Sequence, residues 1–130
     1  MAYLKPPTVT SKIFNPLAMR FGIGGSVTLA VKRRSSGTTQ LVPVVPVEHA
    51  GTRYVVSARG EAQWVKNARS AGSLELREKG RSQHYSAVEV PVSERPPIID
   101  AYRAKAGRTV DTYWKRLPDA ADHPVFRLEV

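Results

Sequence analysis

The stretch that decides the fold runs from residue 31 to residue 67, and it contains two cationic loops next to predicted strands. In order, it reads Val31-Lys-Arg-Arg-Ser-Ser-Gly37, an apolar segment, a turn, a second apolar segment and Ser57-Ala-Arg-Gly-Glu-Ala-Gln-Trp-Val-Lys-Asn67. Loops rich in cations and small residues can hold anions, because the cations supply charge and the main-chain amides supply donors. We therefore expect the two loops to hold the two ends of one elongated anion, while the rest of the chain keeps them in place.

The composition predicts one globular domain with an anionic partner. The chain has 130 residues, of which 42% are hydrophobic and 24% are charged, and this is enough to bury one core. Its formal charge of +9 favours a nucleic acid, an acidic membrane or a polyanionic cofactor as partner. The chain has no cysteine, which excludes disulfides, thiolate metal sites and a cysteine nucleophile.

The N-terminal segment, residues 1–20, is predicted to cover one end of the protein. It is rich in proline up to Thr10, and Ser11 then begins a short helix that Pro16 interrupts. Its cations leave open a lid over a substrate or a contact with a membrane surface. Because the segment is no secretory signal and no run of about 18 apolar residues follows it, we expect a cytoplasmic protein that is compatible with peripheral membrane association.

Alternating apolar residues and intervening turns predict a mainly β chain with flanking helices. The predicted elements are strands at 27–32, 41–47 and 52–58, a helix at 61–71, strands at 74–78 and 81–90, a helix from Ser93 to Gly107, a helix at 110–117 and a closing strand at 123–128. Pro43 and Pro46 must face a sheet edge, a bulge or a ligand, because proline donates no hydrogen bond. Adjacent hairpins imply antiparallel pairing, and curling into a small barrel would remove the exposed edges.

The two loops are the candidate binding elements, and each has a structural alternative. The cluster of Lys32, Arg33, Arg34, Ser35, Ser36 and Gly37 could hold a phosphate or carboxylate, or could be a solvated hairpin turn. Residues 57–60 lead into a helix whose first amides can bind carbonyl oxygens. Trp64 lies one turn inside that helix, where it could pack on a flat ring or belong to the core.

No arrangement of protein side chains points to acid–base or nucleophilic catalysis. His49, His84 and His123 are scattered without ligand spacing, and neither a Ser-His-Asp set nor a clear carboxylate pair stands out. An enzyme with this sequence would have to take its chemistry from an organic cofactor.

Six short motifs are weak one by one but fairly specific in their order and spacing. They are Arg34-Ser35-Ser36-Gly37, Val42-Pro43-Val44, Tyr54-Val55-Val56-Ser57 leading into Arg59-Gly60, Trp64-Val65-Lys66-Asn67-Ala68-Arg69, Glu89-Val90-Pro91 before Pro96-Pro97, and His123-Pro124-Val125-Phe126-Arg127-Leu128. In this arrangement the chain resembles the deazaflavin-dependent nitroreductase (quinone reductase) family of actinobacteria. The resemblance covers nearly the whole chain and implies a single antiparallel split β-barrel domain over residues 1–130.

The resemblance also implies a cofactor, 8-hydroxy-5-deazaflavin with a phospholactate and oligoglutamate tail (coenzyme F-420), in preference to flavin mononucleotide. Carried over by position, the cofactor-binding residues are Lys32, Arg33, Arg34, Ser35, Ser36, Gly37, Gln40, Val42, Pro43, Val44, Ser57, Ala58, Arg59, Gly60, Trp64 and Asn67. Within this set, the cationic turn would hold the tail phosphate and residues 57–60 would meet the ring. Tyr102, Tyr113 and Trp114 are the candidate substrate residues, and no residue is assigned a catalytic role or a metal.

The implied reaction is hydride transfer from the reduced deazaflavin to a quinone, a nitroaromatic compound or another activated double bond. The alternative is a non-catalytic deazaflavin- or lipid-binding protein of the same fold. The expected partner is a small-molecule electron acceptor and not nucleic acid, because the few aromatic residues are not interleaved with the basic turn. The chain is expected to be a monomer or a weak dimer.

Two positions depart from the family pattern. Arg33 stands where the family turn usually begins with glycine, and Gln40 stands where many members carry arginine. The phosphate contacts are therefore expected to differ in detail, with Arg33 or Lys32 taking part.

Overall fold

Residues 27–130, the part of the chain that a computed structural model describes, contain seven strands and three α-helices. The strands are β1 Val27–Lys32, β2 Thr39–Val44, β3 Val47–His49, β4 Thr52–Val56, β5 Ser73–Glu78, β6 Arg81–Glu89 and β7 Val125–Glu129; the helices are α1 Gln63–Ala71, α2 Pro96–Ala106 and α3 Asp111–Arg116. The helix and lid predicted for residues 1–20 lie outside the described residues.

The strands form one antiparallel sheet in the order β2-β1-β5-β6-β7-β4-β3. Its two edge strands, β2 and β3, follow each other in the chain and are joined by Val45 and Pro46 alone. A flat sheet of this width would separate its edges by about 29 Å, because neighbouring strands lie about 4.8 Å apart. The link from Val44 to Val47 spans at most about 11 Å. The sheet must therefore curl until its edges approach each other, which confirms the predicted barrel.

The prediction of one strand over residues 41–47 is wrong. Strand β2 ends at Val44, and Val47 already belongs to β3 on the opposite edge. Pro46 lies in the link, where its missing N–H group interrupts the ladder and where its carbonyl oxygen accepts a hydrogen bond from Lys105 Nζ. Pro43 lies on edge strand β2, one of the positions predicted for it.

Two hydrophobic cores lie on opposite faces of the sheet. In one, α1 packs against β1, β5 and β6, and its buried residues include Leu29, Val65 and Phe126. In the other, α2 packs against β3 and β4, and the buried residues include Ile98 of α2, Trp114 of α3 and Val125 of β7. Because side chains alternate along a strand, Phe126 points into the first core and Val125 into the second. Strand β7 thus joins both cores.

Helix α1 is bounded by small residues at both ends. Its N-terminal boundary follows Gly60, whose positive φ of 89° turns the chain from the strand region into the helix. Its C-terminal stop is Gly72, which has a φ of 71° and donates its N–H to the carbonyl oxygen of Ala68. The predicted stop at Gly72 is confirmed.

Ion pairs attach the outer side of α1 to β6 and to the loop that follows it. Arg69 binds Glu61 at 3.0 and 3.2 Å and Glu89 at 2.8 Å through two nitrogens. Buried Arg95 continues the network, with Nη2 3.3 Å from Glu89 and Nε donating to the carbonyl oxygen of Val90 at 2.9 Å. This network connects the helix to the region where the chain leaves the sheet.

We expect this network to make stability depend on acid pH. The hydrogen bonds from Arg69 hold the pKa of Glu89 below its ordinary value. Ionised Glu89 therefore stabilises the fold above the ordinary carboxyl pKa of about 4.3, and this contribution is lost as the pH falls through the lowered folded-state pKa. In urea unfolding, the free energy of unfolding of the wild type should decline between pH 7 and pH 3. The decline should be smaller in Glu89→Gln, which has no carboxylate to lose. The exposed residue Glu94 supplies the control Glu94→Gln, and equal declines in both variants would contradict the assignment.

Candidate functional site

The cationic turn, residues 33–38, is closed by its own side chains. Arg33 donates its main-chain N–H to the carbonyl oxygen of Thr38 at 2.8 Å, and its guanidinium folds back onto Thr38 Oγ1 at 3.0 Å and Thr39 O at 2.9 Å. The hydroxyl oxygen of Ser36 lies 2.7 Å from that of Thr38. Gly37 has a φ of 76°, which favours glycine there. Arg33 and Ser36 therefore build the turn.

Arg34 joins the turn to α1. Its main-chain N–H and its Nη1 donate to Asn67 Oδ1 at 3.1 and 2.7 Å, and its Nη2 donates to Gln63 Oε1 at 2.8 Å. Asn67 Nδ2 in turn donates to Gln40 Oε1 at 2.7 Å. The turn and the first half of α1, distant in sequence, are thus in direct contact. The loop 57–60 leads into the N-terminus of this helix through Glu61 and Ala62.

The loop 57–60 is anchored through Ser57. The Ser57 hydroxyl donates to the carbonyl oxygen of Gly60 at 2.6 Å, and its main-chain N–H donates to Pro124 O at 2.9 Å. Ser57 is buried, so these bonds are its structural role. Inside residues 27–130, the main-chain N–H groups of Ala58 and Arg59 have no acceptor. These two amides are candidate donors to a ligand.

Arg59 lies against one of the three candidate substrate residues. Its Nε donates to the hydroxyl of Tyr113 at 3.3 Å, and its guanidinium lies 5.7 Å from the centre of the Tyr113 ring. Tyr102 is buried, and burial raises its pKa to about 12, so the phenol stays protonated. Trp114 is also buried, within the second core. Of the three, Tyr113 keeps a partly exposed ring beside the loop 57–60.

Trp64 occupies a core position. It is 6% exposed, and the centre of its ring lies 6.0 Å from that of Phe126. Of the two interpretations of Trp64, the structure therefore supports the core residue and not the platform for a flat ring. On the strand, Val44 also points into the core, whereas Val42 is half-buried and Pro43 is exposed.

The histidines occupy structural or surface positions. His123 is fully buried, its two ring nitrogens lie 3.0 Å from Ser57 O and 2.6 Å from Leu117 O, and its ring stacks on Trp114 at 3.9 Å. This contact attaches the end of α3 to the loop 57–60. Exposed His84 lies 3.0 Å from Glu75 on the neighbouring strand.

Comparison with known proteins gives similarity at the level of the fold. No protein-family model matches the sequence, and no curated protein matches it. A solved structure described as an F420-H2-dependent reductase (FDR-A) matches with a TM-score of 0.60 and 21% identity, over 80% of this chain and 93% of that chain. A FAD-binding protein from Mesorhizobium loti matches with a TM-score of 0.52 and 14% identity, over 89% of each chain.

The fold is a split β-barrel. A further structural match, the protein ChuZ from Campylobacter jejuni, has a TM-score of 0.57 and 17% identity over 97% of this chain and 55% of that one. Within the described part of the chain, no helix is long and apolar enough to cross a membrane.

Gln63 is a site residue that the sequence analysis missed. It lies four residues before Asn67, so both side chains project from one face of α1 and both reach Arg34. The helical spacing of two amide side chains beside a cationic turn is the signal that could have identified it. Thr38, which closes the turn through its hydrogen bonds with Arg33 and Ser36, was also not predicted.

We expect Trp64→Ala to destabilise the split barrel. Removing a buried Trp side chain costs about 3–5 kcal/mol in the free energy of unfolding, because the vacated space is not refilled. Urea unfolding followed by far-ultraviolet circular dichroism measures this loss, and exposed Gln63→Ala on the same helix serves as the control. A Trp64→Ala protein with wild-type stability would contradict the core assignment.

Proposed function

We propose that the protein is a deazaflavin-dependent oxidoreductase that uses coenzyme F-420. It would transfer hydride from the reduced cofactor to a quinone, a nitroaromatic compound or another activated double bond. The observation that supports the proposal is the contact between Arg34 and α1, because the cationic turn then lies against the same helix that the loop 57–60 leads into. A ligand with a flat ring and an acidic tail would have groups for both: anionic oxygens for the cations of the turn and carbonyl oxygens for the amides of the loop.

The anionic tail would bind at the cationic turn. Arg34 uses two of its five guanidinium N–H groups on Asn67 and Gln63, so three remain for a phosphate. Exposed Lys32 and Ser35 add a charge and a hydroxyl beside it. Arg33 and Ser36 would contribute through the shape of the turn, because their side chains bind within it.

The ring would lie along β2 and the loop 57–60. Residues 40–44 of β2 supply the half-buried Gln40 and Val42 together with exposed Pro43. The amides of Ala58 and Arg59 supply donors for the carbonyl oxygens of the ring. Tyr113 would then lie on the acceptor side, because it contacts Arg59 of this loop and is only partly buried.

The cofactor would supply the hydride, and the protein would bind and orient the two reactants. Arg59 and Tyr113 would shape the acceptor side of the ring, and the buried Tyr102 would support Tyr113 from the second core. Holding the cofactor and the acceptor next to each other raises the rate without a protein nucleophile, because the two reactants no longer have to meet by diffusion in the right orientation.

The proposal is tested first by binding and then by turnover. Coenzyme F-420, flavin mononucleotide and FAD are titrated separately into the protein, with ligand fluorescence as the signal. We expect F-420 to bind most tightly. Oxidation of reduced F-420 is then measured with menadione and with a nitroaromatic acceptor. Binding without turnover would favour the non-catalytic alternative, and preference for either flavin over F-420 would overturn the cofactor assignment.

We expect Arg34→Ala to weaken F-420 binding by about 10- to 100-fold, because a charge-assisted hydrogen bond contributes about 1.5–3 kcal/mol. We expect only a small fall in melting temperature, because the main-chain N–H of Arg34 keeps its hydrogen bond to Asn67 Oδ1 when the side chain is removed. Arg108→Ala is the matched control, since it removes the same charge from an exposed position beside α2. Equal weakening in both variants would mean that the ligand responds to overall charge and not to the turn.

The partners remain proposals. We propose a small-molecule electron acceptor as the partner and a monomer or weak dimer as the form of the protein. A membrane contact through residues 1–20 is compatible with the proposed reaction. Binding of random oligonucleotides at several salt concentrations tests the nucleic-acid alternative, for which affinity would fall steeply with salt.

A further inference from the structure

Asn67 directs its amide oxygen and one of its amide N–H groups at other protein groups. It is 3% exposed, its Oδ1 accepts both the main-chain N–H and the Nη1 of Arg34, and its Nδ2 donates to Gln40. An amide oxygen has two lone pairs, and Arg34 occupies both. Asn67 is thus placed to organise its neighbours and not to touch a ligand.

The orientation of this amide is set by Arg34. The guanidinium and the main-chain N–H of Arg34 are donors with no acceptor capacity, so they require Oδ1 of Asn67 to face them. Nδ2 must then face Gln40, and it donates a hydrogen bond to Gln40 Oε1 at 2.7 Å. The amide group of Gln40 is thereby fixed with its Nε2 turned away from Asn67. One charged residue therefore orients two neutral amides in sequence.

We propose that Asn67 is the positioning residue of the anion seat, which consists of Arg34 and Gln40. It holds the Arg34 guanidinium at one angle before the ligand arrives, and it leaves Nε2 of Gln40 as a second donor beside that guanidinium. The inference rests on the proposed function in taking the bound anion to be the tail phosphate of the deazaflavin. It replaces the expectation that Asn67 itself lines the pocket around the ring.

Physical reasons favour positioning over a purely structural role. Arg34 is exposed, and a free arginine side chain loses much rotamer freedom when it is immobilised on a ligand. Asn67 and Gln63 immobilise it beforehand, so less freedom is lost on binding. Gln40 supplies the acceptor for Asn67 Nδ2. An arginine there has no acceptor, so it would favour the opposite orientation of the amide, with Oδ1 turned away from Arg34.

The test is a double-mutant cycle on F-420 affinity. Asn67→Leu removes the amide at nearly constant size. We expect it to lower the affinity for F-420 by about tenfold, and we expect Arg34→Ala to lower that affinity more. If Asn67 acts through Arg34, the double variant should bind about as weakly as Arg34→Ala alone. The proposal would be overturned if the loss of affinity in the double variant equalled the product of the two single losses, or if Asn67→Leu lost no affinity.

A second variant separates positioning from folding. Asn67→Asp keeps an oxygen acceptor for Arg34 but loses the donor to Gln40 and adds a negative charge that opposes an anion. We expect it to retain the wild-type melting temperature and to bind F-420 more weakly than wild type. Unchanged affinity in this variant would contradict the proposal, even if Asn67→Leu fails to fold.

A ligand-free measurement keeps this inference separate from the choice of cofactor. In nuclear magnetic resonance spectra, the guanidinium N–H groups of Arg34 should be resolved and slow to exchange in wild type, and averaged in Asn67→Leu. Gln40→Leu is the control and should leave the Arg34 signals sharp. If wild type did not bind F-420, the proposed function would fail, whereas sharp Arg34 signals that respond to inorganic phosphate would still support the seat. Averaged Arg34 signals in wild type would overturn it.

Discussion

The link of two residues between β2 and β3 is the constraint on which the architecture depends. These strands are the opposite edges of the sheet, yet Val45 and Pro46 alone connect them. The sheet can satisfy this connection only by curling, and curling gives it one face for α1 and another for α2 and α3. Strand β7 contributes to both cores by the alternation of its side chains. The turn after β1 and the loop after β4 are positioned by this closed scaffold and not by local sequence.

Within the scaffold, one charged side chain organises the candidate site. Arg34 leaves the turn, contacts two amide side chains of α1 and keeps three N–H groups for a ligand. Charge-assisted hydrogen bonds are stronger than neutral ones, so this contact is well suited to hold a turn against a helix. Arg33, its neighbour, instead closes the turn on Thr38. Adjacent cations with the same chemistry thus have different roles because their side chains leave the backbone in different directions.

Much of the fold was predictable because it depends on short-range patterns. The strand pairs joined by tight turns, the helix that ends at Gly72 and the two-proline start of α2 are each encoded within a few residues. The continuous strand over residues 41–47 was predicted wrongly, because an apolar run does not show which sheet edge it belongs to. Gln63 was missed because its partner, Arg34, is 29 residues away in the chain. Trp64 was ambiguous because an aromatic residue early in a helix suits both a core and a ligand site.

The sequence by itself determined the antiparallel β class, the positive charge, the two cationic loops and the exclusion of cysteine chemistry, since these follow from composition and local periodicity. Only the tertiary structure decided which cation faces α1, which serine builds a turn and which aromatic side chain is buried. These outcomes depend on contacts between residues far apart in the chain, and such contacts exist only after the sheet has closed. The roles of Arg34 and Asn67 therefore come from the curvature of the barrel as much as from their own chemistry.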